Sequence, residues 1–321
     1  MSVLITGGTG FVGMNIAEAL AAQGERVALF SLEPPPPNAL PAAAALPGKI
    51  IAIQGDVRDQ SALEALMAEA DIDRVIHAAV VTAGPQRERR DPHMILDVNL
   101  MGTLAVLEAA QRRPIRRVVL VSSVAVFGQA GFVSQPLDEE APVRPDGLYS
   151  ITKYAAERMG LRIKQLSGLD VVAARLGAVF GPWERDTGLR DTLSPPYQCL
   201  VAAIEEREAV LPRPGLRDWV YSRDIADGIV RLLEAPKLGH GVYHLGSGMR
   251  WSLEDWCQRL ARRYPGFAWR LSADPAETTI DLFAPTDRAP LSIDRITREL
   301  GFRPRFDLDA AFTDFMRWLD A

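Results

Sequence analysis

Tyr149 and Lys153 stand four residues apart in "DGLYSITKYAAE", Asp146 to Glu157, a stretch that reads as the opening turns of a helix. Residues at that spacing are neighbours on one helical face, so a phenol and an ammonium can enter a common site. A free phenol has a pKa of about 10, and bringing it to about 7 requires roughly 4 kcal/mol of preference for the phenolate. A lysine charge about 5 Å away, at an effective dielectric near 20, supplies on the order of 3 kcal/mol. The pair therefore suits proton transfer, with Tyr149 as acid/base and Lys153 as its electrostatic support. Spacing alone also describes many solvent-facing helix pairs, so the surroundings decide. Upstream, "RRVVLVSSVAVFG" reads as a buried strand that delivers Ser122 and Ser123 at its carboxyl end, where parallel sheets place catalytic groups. A serine hydroxyl there can hydrogen-bond the substrate oxygen whose proton the phenol handles.

The second chemical element heads the chain. In "LITGGTGFVG", Gly8, Gly10 and Gly13 have G-x-G-x-x-G spacing, with Gly7 one position earlier, between a strand and a helix. Glycines in this context permit a tight turn and let backbone N–H groups and a helix amino terminus approach a pyrophosphate. A dinucleotide cradle is expected, and an oxidised nicotinamide ring would complete the stabilisation of the Tyr149 phenolate. Lys153 is also placed to hold the nicotinamide ribose. The next strand ends at Ser31, where dinucleotide folds often carry an acid for the ribose hydroxyls. Glu33 lies two residues on, and no Arg or Lys adjoins it in sequence to pair with a 2′-phosphate, so NAD is expected over NADP. Asp56, in "GDVRD", either meets the adenine edge or caps a helix.

These groups need a scaffold that places strand ends beside helix starts. The first half of the chain alternates apolar runs with helix-period segments, the pattern of a parallel sheet with helices on both faces. Strands are expected at Val3 to Thr6, Arg26 to Phe30, Ile50 to Gln54, Arg74 to His77, Arg117 to Ser122 and Val171 to Arg175. Helices are expected near Val12 to Gln23, Ser61 to Ala70, His93 to Arg112 and Leu148 to Leu166. The prolines of "EPPPPNALPAAAALPG", Glu33 to Gly48, predict a surface loop without regular structure. After Gly181 the alternation gives way to isolated helices near Tyr197 to Arg207, Ser222 to Glu234 and Ser252 to Arg263. The fold class is thus α/β: a doubly wound parallel sheet in residues 1–180, with 215–235 returning to it, and a smaller carboxy-terminal substrate lobe in 181–321. The closing segment predicts an amphipathic helix with Phe312, Phe315, Met316 and Leu319 on its buried stripe.

A chain of 321 residues with 48% hydrophobic content builds a sizeable core, and its net charge of −5 argues against nucleic-acid or anionic-membrane partners. Arg87, Arg89 and Arg90 alternate with Glu88 and Asp91 and read as a solvated loop. Cys199 and Cys257 have no metal-type spacing. No basic leader or membrane-length apolar run is read, so a cytoplasmic protein is expected.

Taken together the motifs resemble the extended short-chain dehydrogenase/reductases, the NAD-dependent epimerase/dehydratase group. The matches are "TGGTGFVG" (Thr6 to Gly13), "GDVRD" (Gly55 to Asp59), "HAA" (His77 to Ala79), "VNLMGT" (Val98 to Thr103), "SSVAVFG" (Ser122 to Gly128), "YSITK" (Tyr149 to Lys153), "RLGAVFGP" (Arg175 to Pro182) and "RDWVYSRDIA" (Arg217 to Ala226), in family order. The resemblance implies a Rossmann domain and catalysis by Ser123, Tyr149 and Lys153, with Ser123 chosen over Ser122 because it stands five positions before Gly128. It implies cofactor contacts from Gly7, Gly10, Phe11, Val12 and Gly13 of the turn, and from Ser31, Asp56 and Val57. Further contacts are expected from Ala78, Ala79 and Asn99, with Tyr149 and Lys153 themselves. Asn99 is similar to the family's helix-kinking asparagine, and His77 reads as a structural histidine. A dimer built on the helices His93 to Arg112 and Leu148 to Leu166 is also implied.

Departures from the family pattern bear on the reaction. Family 4,6-dehydratases carry an Asp-Glu pair after the catalytic hydroxyl, where this chain has Val124 and Ala125, so dehydration is not expected. Ala178 stands where many nucleotide-sugar epimerases have an asparagine. Arg217 matches a residue that often binds the sugar-nucleotide diphosphate, and it equally suits a carboxylate. Arg185 and Arg190 in "GPWERDTGLRDTLSPPYQ" are further anion-binding candidates, and Thr82 a candidate for lining the substrate pocket. Trp183 and Trp219 read as packing residues, Tyr197 as packing or stacking. The expectation is an NAD(P)-dependent oxidoreductase or epimerase acting on the hydroxyl of a sugar, nucleotide sugar or sugar acid, working as a homodimer. The rival from another class is a non-catalytic dinucleotide sensor, which loss of Tyr149 or Lys153 would have favoured.

Overall fold

The computed structural model describes residues 2–188, 190–191 and 193–321. Its centre is a seven-stranded parallel sheet of β1 (Ser2–Thr6), β2 (Arg26–Ser31), β3 (Lys49–Gln54), β4 (Ile72–His77), β5 (Arg117–Ser123), β6 (Val171–Leu176) and β7 (Val242–Leu245). The order across the sheet is β3-β2-β1-β4-β5-β6-β7. Six strands fall where the apolar runs predict them. The seventh, "VYHL", pairs in parallel with β6 in the register Val242↔Ala173 to Leu245↔Leu176 and was missed, because four residues carry no periodicity.

Strand side chains alternate between faces, and both faces are covered, which is why β1 is buried throughout. Val3 and Ile5 pack with Met14 and Leu20 of helix α1 (Phe11–Ala22) on one face. Leu4 packs on the other with Leu63 and Met67 of α2 (Gln60–Glu69) and Val106 of α3 (Pro92–Gln111). α4 (Leu148–Ser167) covers β5 and β6 on that second face, with Met159 and Ile163 against the same cluster. The strand order reverses between β1 and β4, and the carboxyl ends of those strands open the crevice where such sheets bind ligands.

α3 is interrupted around Asn99, the position that resembles the family's helix-kinking asparagine. Asp97–Met101 forms a π-turn between Pro92–Leu96 and Gly102–Gln111. The extra residue lets Asn99 bridge outward: its amide oxygen accepts from Val81 N–H at 2.8 Å, and its amide nitrogen donates to Val81 O and Thr152 Oγ1, both at 3.1 Å. Taken as a whole, α3 meets the length and hydropathy of a membrane span, contrary to the sequence reading, but half of that stretch is buried inside the protein. Two other expectations need correction. Ala39–Ala43 forms a short helix inside the proline-rich loop, since Pro41 lies in its first turn, where a missing N–H removes no helical bond. The run after Thr82 is likewise a helix, Pro85–Arg90, and Glu88 accepts from Leu148 N–H at 2.6 Å, tying it to the start of α4.

The carboxy-terminal lobe has its own aromatic core. α5 (Pro195–Ile204), α7 (Leu253–Arg263) and α8 (Leu308–Leu319) enclose Phe180, Trp219, Tyr221, Trp256 and Phe315. α6 (Ser222–Glu234) returns to the sheet beside α1, with Ile225 and Ile229 fully buried. Trp183 and Trp219 pack as expected, whereas Leu319 is 36% exposed and Trp318 takes its place against the core.

Candidate active site

The glycine-rich turn is shaped by contacts that no other residue type tolerates. Gly7 has φ +66°, and a Cβ there would lie 2.6 Å from the Ala79 Cα; one at Gly13 would lie 2.6 Å from Gly7 O. Gly10 precedes α1 and supplies no side-chain cap, so the first-turn N–H groups of Phe11, Val12 and Gly13 have no capping side chain. Cradle and helix terminus together fit a dinucleotide pyrophosphate. Ala78 and Ala79 form its wall, Ala78 N–H donating to Thr6 O at 2.9 Å.

Around this turn the predicted cofactor residues are already partly engaged. Ser31 Oγ accepts from Thr9 N–H at 3.1 Å and Thr9 Oγ1 donates to Glu33 O at 3.0 Å, which fixes the turn to the end of β2. The hydroxyl proton and the second lone pair of Ser31 are left for a ribose. Asp56 is paired with Arg58 at 2.6 Å, and hydrogen bonds from that guanidinium hold its carboxyl below the ordinary range. Val57 is buried against Gly102 of α3. His77 sits between Thr6 Oγ1 at 2.7 Å and Thr103 Oγ1 at 2.9 Å, and burial, helped by the Lys153 charge, depresses its pKa to about 3. It is a neutral structural histidine.

At the end of β5 the two serines diverge. Ser122 Oγ donates inward to Glu157, while Ser123 Oγ accepts from Ala125 N–H at 3.1 Å and lies beside the Tyr149 phenol. Burial raises the phenol above its ordinary pKa, opposed by the neighbouring Ser123 hydroxyl and then by the Arg190 charge. Lys153 lies one turn along α4, but its ammonium donates to Val121 O and faces Glu157. Burial lowers it to about 8, with Glu157 opposing. Lys153 is expected from the sequence to support the phenol, and the Arg190 charge also acts on it.

Several functional groups escaped the sequence. Glu157, 1% exposed, accepts from Arg175 Nε at 3.0 Å and Nη2 at 2.8 Å beneath Lys153. The Tyr149, Lys153, Glu157 series at i, i+4, i+8 was its only signal. Of the substrate candidates, Arg217 stacks on Trp219 and shares one oxygen of Asp287 with Arg213, at 3.0 and 2.9 Å. Arg288 lies over Phe132 with Nη1 buried and without a hydrogen-bond partner, its pKa lowered by burial and, in part, by the Arg217 charge. Arg213 and Arg217 thus share one carboxylate, and Arg288 beside them lies under the charge of Asp146, a cationic cluster suited to an anion. Thr82 pairs through its backbone with Arg190, and Arg185 lies on the glycine-turn side, under the charge of Glu33.

The sequence profile of the NAD dependent epimerase/dehydratase family matches residues 3–246. The chain belongs to this family. Among its relatives, the UDP-glucose 4-epimerase of Neisseria meningitidis serogroup C is 30% identical over 272 residues, covering 77% of each chain. The dTDP-glucose 4,6-dehydratase of an Actinoplanes strain is 26% identical over 345 residues, covering 100% of this chain and 98% of its own. The crystal structure of the Thermus thermophilus UDP-glucose 4-epimerase complex with NAD superposes with a TM-score of 0.80 at 25% identity, over 100% of this chain and 99% of that one. Family members of both reaction types are therefore similar to this chain. The exclusion of dehydration drawn from Val124 and Ala125 has no support from these relatives.

Proposed function

We propose that the protein is an NAD-dependent nucleotide-sugar epimerase, working through oxidation and re-reduction of one sugar carbon. The observation that carries this reading is the buried Tyr149 phenol beside Ser123 at the carboxyl end of β5, on the same crevice edge as the glycine cradle. A bound nicotinamide supplies the hydride acceptor. The chain's part is to take the hydroxyl proton at Tyr149 Oη, orient the same oxygen with Ser123 Oγ, and hold a positive charge nearby. Arg213 and Arg217, which share Asp287, and the neighbouring Arg288 suit the two phosphates of a sugar nucleotide. Val124 and Ala125, in the turn after Ser123, provide no carboxyl for eliminating water, which favours epimerisation.

Incubation with NAD and UDP- or dTDP-hexoses tests this directly. An isomeric sugar nucleotide without net NADH is expected; a 4-keto-6-deoxy product would establish dehydration, and stoichiometric NADH a dehydrogenase. We also propose a homodimer through α3 and α4, because Met94, Met101 and Ile151 on those helices are exposed apolar side chains. The cytoplasm is the proposed compartment, with Cys199 and Cys257 both buried as free thiols.

A further inference from the structure

Arg185 and Arg190 belong by sequence to the substrate lobe, yet Arg190 packs over Phe11 at the start of α1 and Arg185 lies under the charge of Glu33. After Gly181 and Pro182 the chain crosses back toward the loop that follows β4 before it enters α5. Asp191 fastens that crossing: its carboxylate accepts from Gly84 N–H at 2.7 Å and Arg87 Nε at 2.5 Å, and its N–H donates to Thr82 O at 3.2 Å. Arg87 Nη2 also donates to Gly188 O at 2.6 Å. Held this way, the Arg190 guanidinium carbon lies 5.4 Å from the centre of the Phe11 ring, and Phe11 is the first residue of α1.

The electrostatic supply and demand at this place do not match in the protein alone. A pyrophosphate carries two negative charges, whereas the turn from Gly7 to Gly13 offers backbone dipoles and no cationic side chain. Arg190 is paired with Glu184 at 3.0 Å, but that carboxylate also accepts from Ser194 N–H at 2.6 Å and Ser194 Oγ at 2.7 Å. Arg185 Nη1 is buried and has no hydrogen-bond partner at all. A buried guanidinium nitrogen in that condition is strongly unfavourable until an acceptor arrives.

We propose that Arg185 and Arg190 clamp the pyrophosphate of the bound dinucleotide from the lobe side, making the crossing a strap that retains the cofactor. The proposal rests on the dinucleotide-binding reading above. It moves Arg185 from substrate to cofactor and makes cofactor retention depend on the strap's fastening at Asp191. A diphosphate also occurs in the sugar nucleotide, so the test must separate the two sources.

Calorimetric titration of the full chain with NAD, ADP-ribose, adenosine and UDP does so, using Arg185→Gln, Arg190→Gln and Asp191→Asn. Each arginine variant is expected to weaken NAD and ADP-ribose about tenfold, the effect of losing one charge-assisted hydrogen bond, and to leave adenosine and UDP unchanged. Asp191→Asn, which removes no cation, is expected to weaken NAD several-fold through loss of the fastening. Unchanged or tighter NAD binding in Arg190→Gln, or a loss confined to UDP, overturns the clamp. A thermal melt matching the wild type excludes misfolding as the cause. Wild-type protein that binds neither NAD nor NADP would overturn the functional reading and the clamp together, whereas normal wild-type binding with unaffected variants overturns the clamp alone.

Discussion

Glu157→Gln is expected to damage stability and catalysis at once, and by separable amounts. The wild-type carboxylate is 1% exposed and holds Arg175, itself 4% exposed, through bonds from Nε and Nη2. The neutral amide leaves a buried guanidinium without its counter-charge, which costs about 3–5 kcal/mol, a large share of the roughly 5–15 kcal/mol available to a typical fold. The second effect passes through Lys153, one helical turn earlier. Two charges about 6 Å apart at an effective dielectric near 20 interact by roughly 3 kcal/mol, or about 2 pKa units. Because Arg175 shares the carboxylate, about half of that is assigned to Lys153. Its pKa, already lowered to about 8, would then fall by about 1 unit, leaving about half of the amine neutral at neutral pH. Urea unfolding at constant pH reads the first effect, and the alkaline limb of the kcat profile, moved about 1 unit lower, reads the second. An unaltered unfolding midpoint together with an unmoved alkaline limb would refute the assignment of Glu157 as the counter-charge of both cations.

Tyr149→Phe is expected to reduce kcat by about 10²–10⁴-fold while NAD still binds by calorimetry, since only the proton carrier is removed. Gly13→Ala puts a methyl 2.6 Å from Gly7 O and 2.7 Å from Gly8 Cα, so NAD affinity should fall at least about tenfold in the same titration. His77 and His244 are each depressed to about 3, chiefly by burial, so between about pH 3 and 6.5 the unfolded chain binds more protons and stability falls as the solution is acidified. From pH 7 to 5 the loss is about 2 kcal/mol per histidine, and urea titrations of His77→Asn should show a correspondingly shallower pH dependence than wild type. Met101→Glu and Ile151→Glu are expected to yield monomers in sedimentation experiments; an unchanged oligomer would remove α3 and α4 from the proposed interface.

What the sequence discloses depends on how far apart the cooperating residues lie along it. Six strands and the helices between them are legible because each announces itself within a short window of apolar periodicity. The glycine turn is legible for a related reason: strand, turn and helix are contiguous, and Gly7 and Gly13 meet backbone only a few ångströms away. By contrast, Arg217 and Asp287 are 70 positions apart, and nothing near either residue predicts the other. Arg185 is remote from Glu33 along the chain, so nothing in the sequence predicts that the two charges act on one another. The Tyr149–Lys153 spacing correctly put both residues on one helix face but could not reveal that Val121 O and Glu157 compete for the ammonium. The irregularity around Asn99 was legible only through the family resemblance, because helix propensity does not register a single inserted residue.

The position of β7 in the chain has a consequence for biogenesis. β6 finds its outer neighbour only in Val242–Leu245, after most of the lobe has been made. Until residue 245 leaves the ribosome, the nascent sheet carries an unpaired hydrogen-bonding edge along a wholly buried-type strand, the kind of surface that recruits other chains. A fragment ending near residue 180 would keep that edge permanently. The nucleotide-binding half is therefore expected to aggregate when made alone, and to become soluble when the peptide spanning 222–245 is supplied in trans.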